Sequence, residues 1–282
     1  MMARTLIYNN VKRVYILGSV SFELSSAIRS LPSPLDARVV PIICDITSKD
    51  ELNSAVRKIK TQEGYINFLI VNAGISGPSE PGQELADDIK GKGKAIASSS
   101  RAPTTFDELE MDDFTKTPEF NTTGARRTVL AFLPLLEEGN KFRPRGSPTS
   151  HILFTASASA VTRTFADKSP AYAASRAANL HLMKILSAYS AERGWHSRMN
   201  AFLPGMGATP MTAGLPFLQG QNGKKSFEGG GVPKEVSPAE RILGEEDVAG
   251  AVLYLCSKAG EMLDGCVLLA DGGRVGVVPV TS

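Results

Sequence analysis

A tyrosine hydroxyl four residues ahead of a guanidinium, Tyr172 and Arg176 within Ser169-Pro-Ala-Tyr-Ala-Ala-Ser-Arg-Ala-Ala-Asn179, is the pair in this sequence best suited to proton transfer. On a helix that spacing stacks both side chains on one face. A cation held there stabilises the negative charge of a phenolate, which a tyrosine acting as acid or base near neutral pH requires. The same pattern fits an Ala-rich amphipathic helix with an exposed Arg, so the pair gains meaning only from the elements that place it.

Those elements alternate. Arg13-Val-Tyr-Ile-Leu-Gly18 reads as a strand and Phe22 to Leu31 as a helix, while residues 1–9 read as the tail of a helix ending at Asn9-Asn10. Arg38 to Thr47 is a continuous apolar run, as expected of a strand buried on both faces. Ser48 with Glu51 predicts a reciprocal capping box and a helix through Lys60. Ile66 to Gly74 is a third strand, and a long helix is expected from about Asp112 to Glu138. His151 to Ser159 is a strand, followed by the Tyr172 helix, the strand and turn Arg198 to Gly205, a helix over Glu245 to Ala259 and a last strand over Cys266 to Gly273. This order predicts an α/β fold, a doubly wound parallel sheet in one Rossmann-like domain over 1–282. Ligands of such sheets bind outside the C-terminal strand ends. Two Gly- and Pro-rich stretches interrupt the pattern: 77–105 reads as a disordered insertion and 206–239 as a lid over a pocket. Neither Gly91 and Gly93 nor Gly223-Lys-Lys225 has the strand-to-helix context of a phosphate-binding loop.

With 31 basic and 29 acidic residues the net charge is only +2, which gives no field to recruit nucleic acid or an anionic membrane. Small-molecule chemistry is the expectation that follows. The three cysteines, Cys44, Cys256 and Cys266, are widely spaced within apolar runs and read as reduced core thiols. His151, His181 and His196 are isolated, so no metal site is predicted. No apolar run is long enough to span a bilayer and no secretory signal pattern is evident, which points to a cytoplasmic location.

In order and spacing these motifs resemble the short-chain dehydrogenase/reductase family from about Arg13 onward, with wording closest to fungal members. The resemblance implies an oxidoreductase using NADP or NAD, with hydride transfer between the nicotinamide and a small carbonyl or alcohol substrate. By the same resemblance Tyr172 is the proton donor, Ser157 (chosen over Ser159) bonds the substrate oxygen, Asn121 holds a relay water, and Arg176 stands where the family has Lys. On the cofactor side it implies Asp45 toward the adenine, the turn Asn72-Ala73-Gly74, Tyr172 and Arg176 near the nicotinamide ribose, and Pro204-Gly205 with Thr209 toward the carboxamide. Ala270-Asp-Gly-Gly-Arg274 matches the C-terminal signature. Similar proteins are often homo-oligomers.

Two departures bear on activity. The family's first strand and glycine-rich turn are missing from the pattern, and that strand would sit centrally, between the strands at Arg13 and Ile66. Its loss predicts weakened cofactor binding and two strand edges in need of partners. Arg176 keeps the positive charge but does not release a proton, so impaired activity is expected. A non-redox acid/base catalyst (isomerase, dehydratase or cyclase) and a non-catalytic partner of an intact relative are the alternatives.

Overall fold

The computed structural model describes residues 1–77, 111–163, 170–209, 212, 232, 234 and 237–281. All of the expected 77–105 insertion but Gly77, and most of the expected 206–239 lid, lie outside the described residues.

The elements follow one another as α1 (Met2–Tyr8), β1 (Val14–Gly18), α2 (Ser21–Arg29), β2 (Val39–Ile43), α3 (Lys49–Glu63), β3 (Phe68–Val71), α4 (Met111–Pro118), a π-helical segment (Glu119–Gly124), α5 (Ala125–Phe142), β4 (His151–Thr155), α6 (Pro170–Glu192), β5 (Arg198–Pro204), α7 (Glu245–Cys256) and β6 (Val267–Ala270). Among the described residues every strand pair is parallel, but the strands form two sheets, β1-β2 and β3-β4-β5-β6. β1 and β3, expected on either side of a missing strand, belong to different sheets.

Apolar runs without alternation explain the burial of β4 and β5, because helices cover both faces. Ile152 and Phe154 of β4 pack with Val129 and Leu136 of α5 and Met183 of α6. Leu153 of β4 and Phe202 of β5 point the other way, into Val248, Val252 and Leu255 of α7 and Leu6 of α1. Ile152, Leu153, Phe154 and Phe202 are fully buried, each contributing roughly 1.5–3 kcal/mol of transfer free energy.

Two local expectations are corrected. Ser48 Oγ accepts from the Glu51 N–H (3.3 Å), but the Glu51 carboxylate accepts from the Asp45 N–H (2.8 Å) instead of returning to Ser48. The cap therefore ties α3 to the end of β2 and is not reciprocal. The expected helix over 112–138 is also broken. Pro118 lacks the N–H needed to continue the ladder, and the following residues widen into the π-helical turn that contains Asn121.

The N-terminal ends of β4 and β5 bury a polar layer. Asn200 Nδ2 donates to His151 Nε2 (3.0 Å) and to the Leu263 carbonyl (2.9 Å), and Arg198 Nη1 donates to the Gly260 carbonyl (2.7 Å). Phe68 stacks on the His151 ring at 5.3 Å. Burial, with the Arg198 charge adding to it, pushes the His151 imidazole down to about 3. Since an unfolded histidine titrates near ~6.5, the unfolded chain binds this proton first as pH falls from about 6.5 toward 3, and stability declines across that window. The expected outcome in denaturant titrations is that His151→Gln removes a component approaching about 1.4 kcal/mol per pH unit from the wild-type slope in that window. Equal slopes for the two proteins would contradict a buried neutral His151.

Candidate active site

Parallel pairing brings the C-terminal ends of β3, β4 and β5 to one edge, beside a cavity of about 2000 Å³. Past β3 it is lined by Asn72, Ala73 and Gly74, and past β4 by Ser157. Pro204, Gly205 and Thr209 line it from the end of β5, and α6 contributes Tyr172 and Arg176. Nine of the eleven residues singled out by sequence therefore share one cavity wall. Asp45 and Asn121 do not line it.

Tyr172 and Arg176 meet as a helical i, i+4 pair, with the guanidinium over the ring at 5.1 Å from its centre. Both are buried, Arg176 to 4% exposure, so the exposed-Arg reading of this helix does not apply. Arg176 Nη1 donates to the Thr155 carbonyl at the end of β4 (3.0 Å), while its Nε has no hydrogen-bond partner. Its other terminal nitrogen lies against Gly74, where a Cβ would stand 2.0 Å from Nη2 and 2.8 Å from Cζ. One side chain thus joins α6 to the ends of β3 and β4, and the joint requires glycine at 74. Gly205 is packed as closely, since a Cβ there would stand 2.5 Å from Asp271 Cα.

Asn121 lies behind the wall, fully buried. Its Oδ1 accepts from the Ile75 N–H (2.8 Å), and its Nδ2 donates to the Ile75 carbonyl (2.9 Å) and to Ser175 Oγ (2.9 Å). Ser175 Oγ in turn donates to the Tyr172 carbonyl (2.8 Å). The π-helical turn lets Asn121 brace both the loop after β3 and the first turns of α6. Ile75 and Ser175 were not singled out by sequence. Ser175, three residues beyond Tyr172, had a helical-spacing signal that could have found it, whereas Ile75 acts through its backbone, which side-chain type does not reveal. Ser157 Oγ accepts from the Ser159 N–H (3.2 Å), capping a short turn after β4. Ser159 also lines the cavity. Asp45 Oδ1 accepts from the Thr47 N–H and hydroxyl, both at 2.8 Å.

The Cys44 thiol, also on this wall, is pushed up to about 11 by burial, with Glu51 and Asp45 adding to it, so it offers no thiolate at neutral pH. Among the described residues no group of three His, Cys, Asp or Glu could hold a metal ion, and no helix is long and apolar enough to cross a membrane.

The sequence profile described as short chain dehydrogenase matches residues 1–216. The chain belongs to the short-chain dehydrogenase family. Its relatives include the short-chain dehydrogenase/reductase SAT3 of Stachybotrys chartarum, 35% identical with 98% of each chain covered. Another is VdtF of Byssochlamys spectabilis, 32% identical over 99% of this chain and 89% of that protein. Among solved structures, the NADP complex of RhlG from Pseudomonas aeruginosa superposes with a TM-score of 0.73 at 18% identity, covering 97% of this chain and 90% of that one. L-sorbose reductase from Gluconobacter frateurii, complexed with NADPH and L-sorbose, does so with a TM-score of 0.72 at 20% identity, covering 97% and 90%. At those identities the structural match establishes the Rossmann fold of this short-chain dehydrogenase, in agreement with its parallel α/β layers.

The close approach at Gly74 makes a specific prediction. Gly74→Ala is expected to displace the Arg176 guanidinium and destabilise the protein by roughly 1–3 kcal/mol, the usual range for overpacking. Adding Arg176→Lys, which removes the forked head, should recover more than half of that loss in a thermal-unfolding double-mutant cycle. Additive effects of the two substitutions would show that the contact is not formed.

Proposed function

We propose that this short-chain dehydrogenase binds NADP or NAD and transfers a hydride between the nicotinamide and a small carbonyl or alcohol substrate. The observation carrying the reading is the convergence of Tyr172, Ser157 and the buried Arg176 on one cavity at the C-terminal edge of β3, β4 and β5. The residues present fit the nicotinamide half of such a cofactor. Arg176, on the cavity wall, keeps one buried N–H without a partner. Asn72, Ala73 and Gly74 would hold the cofactor from one side, and Pro204, Gly205 and Thr209 from the other. When bound, the nicotinamide supplies or accepts the hydride.

The chain's own residues then have separable tasks. Tyr172 gives a proton to the developing alkoxide in the reduction direction and takes it back in oxidation. Ser157 orients the same oxygen by a hydrogen bond. Arg176 fixes the tyrosine ring from above and the β4 carbonyl behind it, but as a guanidinium it passes no proton onward. Both polar atoms of the Asn121 side chain are engaged by Ile75 and Ser175, so it serves here as a brace for the start of α6. The reading includes impaired turnover, because the proton path lacks the family's Lys, and weak cofactor affinity.

Fluorescence titration with NADPH and NADH tests the binding half, and saturation of at least one below millimolar concentration is expected. Tyr172→Phe should lower kcat for a small-carbonyl panel by at least about 10²-fold. Arg176→Lys should raise kcat by restoring a side chain that can exchange a proton. Absence of binding of either nucleotide, or turnover that survives Tyr172→Phe, would overturn the assignment. Turnover without added nicotinamide would favour non-redox acid/base chemistry instead.

A further inference from the structure

Ser157 opens a tight turn after β4, and both ends of that turn are tied down. At the near end the Ala156 N–H donates to the Phe202 carbonyl of β5 (2.9 Å), which keeps the approach to Ser157 in the sheet. Within the turn the Ala160 N–H donates to the Ser157 carbonyl (2.9 Å) and the Val161 N–H to the Ala158 carbonyl (3.1 Å). Ala158 and Ala160 are buried, so the turn is packed as well as bonded. The Ser159 N–H occupies an acceptor site of the Ser157 hydroxyl and leaves its single proton to be given elsewhere.

The far end is held from a remote part of the chain. The Val161 carbonyl accepts from the Thr281 N–H (2.8 Å) and from the Thr281 hydroxyl (3.2 Å), and the Arg163 N–H donates to the Pro279 carbonyl (2.8 Å). Thr162 and Val280 thus face each other in a short antiparallel pairing, and Thr162 lines the cavity. The segment that brings Thr281 there starts at the end of β6. Its Ala270 carbonyl accepts from the Gly205 N–H (2.8 Å). The Asp271 carboxylate then accepts from the Gly273 N–H (2.9 Å) and the Val275 N–H (2.7 Å), which winds the chain into a turn. Arg274 is buried in that turn and also lines the cavity. Residues 270–281 therefore run as a strut from Gly205, on the β5 side of the cavity, to the far end of the Ser157 turn.

We propose that Thr281 is a positioning residue for Ser157: by holding the Val161 carbonyl it keeps the turn closed and the Ser157 hydroxyl in place for the substrate oxygen. What Ser157 does there rests on the hydride-transfer reading given above, whereas the hold itself is a matter of backbone geometry. Thr281 is exposed, and substitutions at such positions change overall stability little. Placement is the sensitive quantity, because a displacement of about 1 Å can cost a reaction orders of magnitude in rate.

Thr281→Pro removes the N–H and the hydroxyl together, and the extended backbone favoured before a proline suits Val280 in the pairing. This variant is expected to lose on the order of tenfold in kcat for a small carbonyl, with a thermal midpoint near wild type. Thr281→Ser keeps both donors and should retain wild-type kcat. In a Ser157→Ala background Thr281→Pro should change kcat less than about twofold, because the group it positions is gone. Additive losses, or an unchanged kcat in Thr281→Pro, overturn the proposal. Amide hydrogen exchange supplies a readout without turnover: Ser159 and Val161 should exchange on the order of tenfold faster in Thr281→Pro, while Ile152 and Leu153 of β4 stay slow. Unaltered exchange at Ser159 and Val161, or acceleration that extends to β4, also overturns it. If Ser159 and Val161 speed up but the wild-type chain reduces no carbonyl with either nucleotide, the hydride-transfer reading fails and the hold of Thr281 on Ser157 stands.

Discussion

Parallel strands can only be joined by crossovers, and this constraint arranges the rest of the molecule. Because β3, β4, β5 and β6 all run the same way, every crossover deposits its helix on a face and every strand delivers its C-terminal end to the same edge. Asn72 to Gly74, Ser157 and Pro204 to Gly205 come from segments far apart in the chain, yet they meet at that edge without any specific attraction between them. The sheet gathers them, and helices α5, α6 and α7 hold it between two apolar layers.

The local bracing is polar. Arg176 links Tyr172 to the Thr155 carbonyl, and Asn121 links Ile75 to Ser175, so the start of α6 is fastened to the ends of β3 and β4 at two heights. Both braces are buried, where an unmade hydrogen bond is expensive. The tyrosine's backbone is thereby fixed by the same residues that surround its ring. Rigidity of this kind suits a group that must meet a reacting oxygen within a fraction of an ångström.

Much of this was legible in the residues. Continuous apolar runs at Arg38–Thr47, Ile66–Gly74 and His151–Ser159 mark buried parallel strands, because no polar face has to be accommodated. Tyr172 and Arg176 were legible as a stacked pair, and Asn121 as a residue out of place in a helix. The π-helical turn was not, since it needs Pro118 to end one helix and Ile75 to reward the displaced amide, and the two are remote in sequence. The burial of Arg176 was not legible, because helical periodicity carries no information about the carbonyl that receives it. The reciprocal cap at Ser48 failed for a similar reason: the Asp45 N–H competes for Glu51, and only the turn of the chain brings it there. β1 and β3 were expected on either side of a missing strand, and among the described residues they lie in separate sheets.

The contact between Gly74 and Arg176 also bears on how such a site can change. With alanine at 74 the guanidinium could not keep its present place. Arg at 176 in this pose therefore goes with glycine at 74, and a larger residue at 74 moves the guanidinium. A step that looks like an exchange of one cation for another also changes what a second position on a different element tolerates. Any attempt to evolve this site toward a new substrate inherits that dependence.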